Sequence, residues 1–422
     1  MADAAAATAG GPSSLPDDII FDVLSRLSAK TLCRFRCVCK RWRALLSDDP
    51  AFIAAQSSRA GPLVAAMFFG ASPSPPGHKY ELRVMALYGG AGEALRSFRV
   101  PCMQLANTRL DLVCVDQEWD GATVIDPASG RMLAAGAKPV YHGPAALSVT
   151  EVSDVSFGRA APSGDYKLVR IRESVPPGPD GAGWHWKKFC DVATIEMGGG
   201  GAPPPPVTWR RRPAAPFRTS FSSQSKAAVN GLLYFLHREL ADDLDDEQWW
   251  LRGHHLIAVF DLESESWKKS IDRPPWEDKE EEHGRIFYEV TLGELNGALI
   301  MLHRKLQYHG SSDWCYATVW LLADHRKSVW VKQYAIEMPM NWGLCRALDV
   351  LGDGRVLLLN SLREEEEEEE DGEGTRRGYG NCRFRYVLQF YEPSTGEFED
   401  LMEMPEGFRS TMAVYTGSLL SA

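Results

Sequence analysis

Three short themes recur along most of this chain, and their spacing restricts the folds open to it. A glycine followed by an apolar run appears in AVNGLLYFL (228–236), ELNGALIML (294–302) and LGDGRVLLL (351–359). A tryptophan stands at equivalent places in VTWRR (207–211), ESWKK (265–269) and SVWVK (328–332), at Trp209, Trp267 and Trp330. A strand end, an acidic residue and a turn recur in IDPASG (125–130), FDLESES (260–266) and YEPSTG (391–396). Successive units lie about 60–70 residues apart, and repetition at a fixed period is the signature of a repeat architecture.

Between these themes, prolines and glycines punctuate short β-branched and aromatic runs. Leu63–Phe69, Leu110–Val115, Tyr166–Ile171, Leu256–Phe260, Val356–Leu359 and Tyr386–Tyr391 each read as a strand. A unit of this length holds one small antiparallel sheet, and the roughly 360 residues after position 61 hold about six. Small sheets repeated and arranged radially make a β-propeller. The expected fold is therefore mainly β, a propeller of about six blades, preceded by an all-α motif of three helices.

That motif occupies residues 15–46, LPDDIIFDVLSRLSAKTLCRFRCVCKRWRALL. Pro16 suits a first helical turn, and Asp17 and Asp18 oppose the positive end of its dipole. Ile20, Val23, Leu24 and Leu27 fall on one face of the first helix. Ser28 can cap a second helix carrying Leu32 and Phe35. Val38, Trp42, Leu45 and Leu46 follow at helical spacing, and Asp49-Pro50 begins one more short helix that ends before Gly61. So small a unit can hardly bury enough surface to stand alone, and surplus apolar surface on it points to a docked partner.

Composition narrows the function. The longest apolar runs fall far short of the ~20 residues a spanning helix needs. The opening MADAAAATAGGPSS has no basic n-region, so no secretory signal is expected. Nine scattered cysteines without a C-x-x-C pair suggest reduced thiols and a cytoplasmic or nuclear location. The net charge of −11 comes largely from Glu364–Glu370 with Asp371 and Glu373. An acidic chain of this kind is a poor nucleic-acid binder, and no membrane association is expected. Residues 1–13 and the acidic segment 363–377 are expected to be disordered.

Residues 15–46 resemble the F-box, a helical motif that binds the Skp-type adaptor of cullin-based ubiquitin ligases. The family's Leu-Pro opening is Leu15-Pro16, and its Val-Cys-Lys-x-Trp signature is Val38-Cys39-Lys40-Arg41-Trp42. Ser28 departs from the family's usual proline. Residues 61–420 resemble the F-box-associated, kelch-like domain of plant F-box proteins through Gly164–Val169, Asn230-Gly231, and Phe260-Asp261-Leu262 with Trp267. The resemblance implies an F-box over 14–58 and a propeller that holds a protein substrate for ubiquitination. It implies adaptor contacts by Leu15, Pro16, Ile20, Val23, Leu24, Leu27, Leu32, Val38, Cys39, Trp42 and Leu45. It leaves the chemistry to other subunits and calls for no cofactor.

Outside the F-box the candidates are fewer. Trp184, Trp186, Trp249, Trp250, Trp314 and Trp342 sit beside polar or turn-rich segments and are candidates for a substrate surface. Arg210-Arg211-Arg212 suits either an acidic or phosphorylated motif or a β-edge guarded by charge. No hydrolase, zinc-protease or nucleotide-binding motif is present. Two other readings stay open at this point: an adaptor-bound scaffold outside a cullin ligase, and a kelch-like propeller enzyme whose metal site is assembled from distant loops.

Overall fold

The computed structural model describes residues 15–420 except 28, 61, 71–79, 88–91, 93, 102–103, 117–120, 137–149, 176–186, 198–206, 221, 223, 238–256, 276–284, 309–313, 340–341 and 364–383. Its first part is four short helices: α1 (Asp17–Ser25), α2 (Ala29–Phe35), α3 (Lys40–Asp48) and α4 (Pro50–Ala60). Local chemistry fixes their starts. Asp17 and Asp18 occupy the first turn of α1. The Cys39 thiol accepts from the Trp42 backbone N–H at 3.4 Å and caps α3. Asp49 Oδ1 accepts from the N–H groups of Ala51 (2.8 Å) and Phe52 (3.2 Å), with Pro50 at the first position of α4. The expected cap of α2, Ser28, lies outside the described residues.

Six sheets follow. Blade 1 holds β1 (Leu63–Phe69), β2 (Tyr80–Ala86) and β3 (Ala94–Val100); blade 2 holds β4 (Gln104–Leu105), β6 (Val113–Asp116), β7 (Gly121–Asp126) and β8 (Arg131–Gly136). Blade 3 comprises β9 (Thr150–Arg159), β10 (Tyr166–Val175), β11 (Lys187–Ile195) and β12 (Trp209–Arg212); blade 4 comprises β13 (Lys226–Val229), β14 (Leu232–Leu236), β15 (Ile257–Asp261) and β16 (Ser266–Trp267). Blade 5 is β17 (Arg285–Leu295), β18 (Ala298–Tyr308), β19 (Trp314–Asp324) and β20 (Val329–Met338); blade 6 is β21 (Trp342–Val350), β22 (Val356–Arg363), β23 (Phe384–Glu392) and β24 (Glu397–Glu403). The last strand, β25 (Phe408–Tyr415), returns to blade 1 and pairs antiparallel with β1, Val64 opposite Val414. The two-residue β5 (Arg109–Leu110) adds to it in parallel.

The packing demonstrates the ring. Each of six apolar clusters draws on two adjacent blades. Phe157 and Leu168 of blade 3 meet Cys114 and Val124 of blade 2, and Val169 and Ile171 of blade 3 meet Leu233 and Phe260 of blade 4. Blades 4 and 5, 5 and 6, 6 and 1, and 1 and 2 are joined in the same way. Successive residues of a strand point to opposite faces, so every blade supplies apolar residues to both neighbours. Closing the ring removes most exposed sheet edges.

The repeated themes have definite places in this ring. Asn230-Gly231 and Asn296-Gly297 join the first two strands of blades 4 and 5, with both residues of each turn at positive φ, the primed geometry that suits a two-residue hairpin. At Gly231 a Cβ would stand 2.9 Å from the Ala161 backbone nitrogen of blade 3, so this turn also needs the missing side chain. Trp209, Trp267 and Trp330 all lie on outermost strands and pack on the interblade clusters. Trp267 Nε1 donates to Pro213 O and Trp330 Nε1 to Asp272 O, each at 2.8 Å, tying a blade to the segment that leaves the one before. The acidic turn residues Asp126 and Asp261 accept backbone N–H bonds two residues on, and a fourth copy of the turn, at Asp324, does the same.

The helical unit is not merely tethered to the ring. After β25 the chain runs to Leu419, buried in the cluster between blades 1 and 2, and Leu420, buried among Leu24, Leu32, Leu46 and Phe52 of the helices. Arg36 donates from its guanidinium to Leu420 O. Two consecutive leucines thus belong to two different cores.

Candidate docking surface

Helices of seven to eleven residues bury one stripe each and leave the rest to solvent. The buried stripe gathers Leu24, Leu32, Leu46 and Phe52, with Ile20, Phe21, Leu27, Trp42 and Leu45 packed against them. Phe21 meets Phe52 edge-on at 5.2 Å between ring centroids, and Phe35 meets Trp42 at 5.5 Å. The face left outside is itself apolar. Leu15 is 62% exposed, Ile19 45%, Val23 54% and Val38 60%. Ile19 and Val23 stand four residues apart on one side of α1, and Leu15 lies in the extended residues just before it. Val38 lies in the bend before α3, beside exposed Cys37 and Cys39.

The eleven residues expected at the adaptor contact therefore divide. Leu15, Pro16, Val23, Val38 and Cys39 are exposed. Leu24 and Leu32 are buried in the helical core of the free chain. Ile20, Leu27, Trp42 and Leu45 are half-buried at its margin. Periodicity groups buried and exposed apolar residues alike because a narrow helix carries two apolar stripes. Ile19, also exposed, is absent from the expected set, although it stands one helical turn before Val23.

A cleft of about 740 Å³ opens on the helical unit, lined by Ile20, Phe21, Trp42 and Leu45 with Asp17, Asp48 and Asp49. Arg41 pairs with Asp17 across α1 and α3, and Arg26 with Asp22 at 2.7 Å. Arg34, Lys40, Arg41 and Arg43 are exposed on the helical unit.

On the propeller, four of the six candidate tryptophans, Trp184, Trp186, Trp249 and Trp250, lie outside the described residues. Trp314 and Trp342 start β19 and β21. The three consecutive arginines have internal partners. Arg210 and Arg212 reach Glu265 of blade 4, Arg210 at 2.5 Å, and Lys167 completes the cage at 3.1 Å. Arg211 turns to the other face and donates to Asp191 Oδ1 at 2.6 Å. The row is a clamp between blades as well as a charged edge.

Glu265 occupies the left-handed position of its turn, φ +49°, where the equivalent turns have Gly130 and Gly396. For a non-glycine residue that conformation costs about 1–2 kcal/mol. Burial alone would raise the Glu265 carboxyl, but hydrogen bonds from Arg210, Arg212 and Lys167 outweigh it and bring the pKa from 4.5 down to about 2. A carboxylate depressed in the fold stabilises it fully above its ordinary value and loses that contribution as pH falls through the depressed one. Thermal melts from pH 5 to pH 2 should therefore show wild type falling more steeply than Glu265→Gln, the two converging near pH 2. Parallel curves would refute the clamp.

A small helical unit with exposed apolar residues stands before a closed six-bladed propeller. Comparison with protein families matches residues 12–53 to the F-box domain. F-box only protein 12 of Arabidopsis thaliana is 56% identical over 34 residues, 8% of this chain and 8% of that protein. The first three relatives match only about a tenth of their own length. F-box protein At3g07870 of the same plant is 24% identical over 432 residues, 97% of this chain and 92% of the relative. The chain thus joins an F-box domain to a C-terminal six-bladed β-propeller, and the relatives it matches are plant F-box proteins. Among solved structures, a Synechocystis apocarotenoid oxygenase mutant superposes with a TM-score of 0.34 at 10% identity, covering 81% of this chain and 77% of that one. A likeness of that size carries no argument about chemistry.

Proposed function

We propose that this chain is the substrate-recognition subunit of a Skp–cullin–F-box ubiquitin ligase. The exposure of Leu15, Ile19, Val23 and Val38 within the F-box carries the reading. Exposed apolar residues on a small helical unit need a partner, and a Skp-type adaptor is the partner the F-box implies. The propeller then holds a protein substrate near the ubiquitin carrier and replaces a bimolecular encounter with a local one. The chain itself performs no catalysis on this reading. It acts in the cytosol, the nucleus or both; among the described residues no helix is long and apolar enough to cross a membrane.

Co-purification of the full chain with a Skp-type adaptor and a cullin tests the proposal. Recovery of all three is expected. Adaptor without cullin would instead make the chain a scaffold outside the ligase, and failure to retain the adaptor would overturn both.

A further inference from the structure

The edges that remain in a closed propeller belong to the outermost strands, and these are ordinarily short. β3, β8, β12, β16 and β24 have two to seven residues, whereas β20 (Val329–Met338) has ten. Among the described residues no strand pairs with its outer side. Exposed apolar side chains gather at this edge. Outside the helices six large apolar residues are exposed among the described ones, and three belong to the outer two strands of blade 5: Tyr316 at 41%, Val329 at 43% and Val331 at 47%. A long, partly apolar edge is a template for another strand.

This edge is complementary to itself when turned end for end. Tyr334 stands opposite Val319 and Lys332 opposite Trp320, so Gln333 is an extra residue, a bulge. Side chains five apart in a regular strand face opposite sides. With the bulge between them, Lys332 and Glu337 share the face turned to blade 4, beside Trp320 and Tyr316 respectively. Both are exposed, and neither has a charged partner among the described residues. Two β20 edges can pair antiparallel with Ala335 opposite its own copy. Lys332 then meets Glu337, Tyr334 meets Ile336 and Val331 meets Met338, each twice, and the two members of every pair lie on one face. The smallest side chain of the strand falls on the axis. The Ala335 carbonyl accepts a long bond from Tyr391 at 3.4 Å, which leaves its second lone pair. A lysine and a bulge also serve to guard an edge against pairing. A guard does not require a glutamate at the one position that meets the lysine of a second copy, where unlike charges make a favourable cross-strand pair.

We propose that the outer edge of blade 5 joins a second copy of this chain, β20 pairing antiparallel with β20 about a twofold axis at Ala335 to make one continuous sheet from two blades. A twofold contact repeats every pairing on both sides of its axis. The contact lies across the ring from blades 1 and 2, where Leu419 and Leu420 join the helices. It therefore leaves both helical units outside, and it holds whether or not they bind an adaptor.

Sedimentation velocity of the full chain over a concentration series tests it. An edge contact is small, so a reversible dimer is expected at about 10–100 µM. Lys332→Glu and Glu337→Lys each set like charges opposite one another twice per dimer, and each should weaken self-association at least about tenfold. Lys332→Glu combined with Glu337→Lys restores opposite signs in the reverse order and should return self-association to within about threefold of wild type. That recovery also separates loss of the contact from loss of the fold. A wild-type chain that stays monomeric at about 200 µM would overturn the proposal. So would a dimer that either single variant leaves intact, or one that the double variant fails to restore.

Discussion

Val38→Asp combined with Val23→Asp will abolish capture of a Skp-type adaptor while leaving the melting transition of the chain within about 1 °C of wild type. Both residues are more than half exposed, so neither contributes much to the helical core. Surface substitutions of this kind usually change stability by less than about 0.5 kcal/mol. At an interface the same change is severe: it removes two buried apolar anchors and places two carboxylates where water has been excluded. Anchors cost about 2–4 kcal/mol each on truncation and an unpaired buried charge costs more. A loss of at least about a thousandfold in affinity follows. Pull-down with purified adaptor, read beside differential scanning calorimetry, decides it. Retained capture would remove this face from the docking surface.

Leu420→Ala should have the opposite signature: lower stability first, and lost adaptor binding as its consequence. Leu420 is fully buried among helical residues and lies far along the chain from Val23 and Val38. Truncating a buried leucine costs about 2–5 kcal/mol, depending on how far the cavity collapses. Total domain stability is only about 5–15 kcal/mol, and a unit this small holds the lower end of that range. Proteolysis should therefore enter the helices of the variant while the propeller stays protected, and adaptor affinity should fall at least about tenfold. Leu420→Met, which conserves volume, should restore both. If Leu420→Ala leaves the proteolytic pattern unchanged, the tail is not part of the helical core.

Much of this architecture was legible from the residues. Val64 to Phe68, the Asn-Gly turns and the outermost tryptophans stood in the sequence at positions the blades require, because a two-residue primed turn and an alternating strand leave local traces. The blade count was legible only through spacing. Ring closure was not: the pairing of Val64 with Val414 joins segments 350 residues apart and has no local signature. Leu24 and Val23 illustrate the same limit within the F-box. Both fit the helical period, yet one is core and the other surface, and only the arrival of Leu420, Leu46 and Phe52 on one side distinguishes them. Arg210–Arg212 read as a charged edge, and the edge is there. Their carboxylate partners Glu265 and Asp191 are brought by a neighbouring blade and a neighbouring strand, which the run of three arginines does not announce.

The leucine pair at 419–420 also puts the parts of the chain in order of time. The helices of the F-box are made first, but their core lacks Leu420 until the whole ring has been synthesised. At about 5–20 residues per second that interval is roughly 20–75 s. Through it the helical unit is present without Leu420, and its core is complete only once the last blade can close. On the proposed function, the affinity lost in Leu420→Ala would measure how strongly that order is enforced: the larger the loss, the more completely an unfinished chain would be kept from its adaptor.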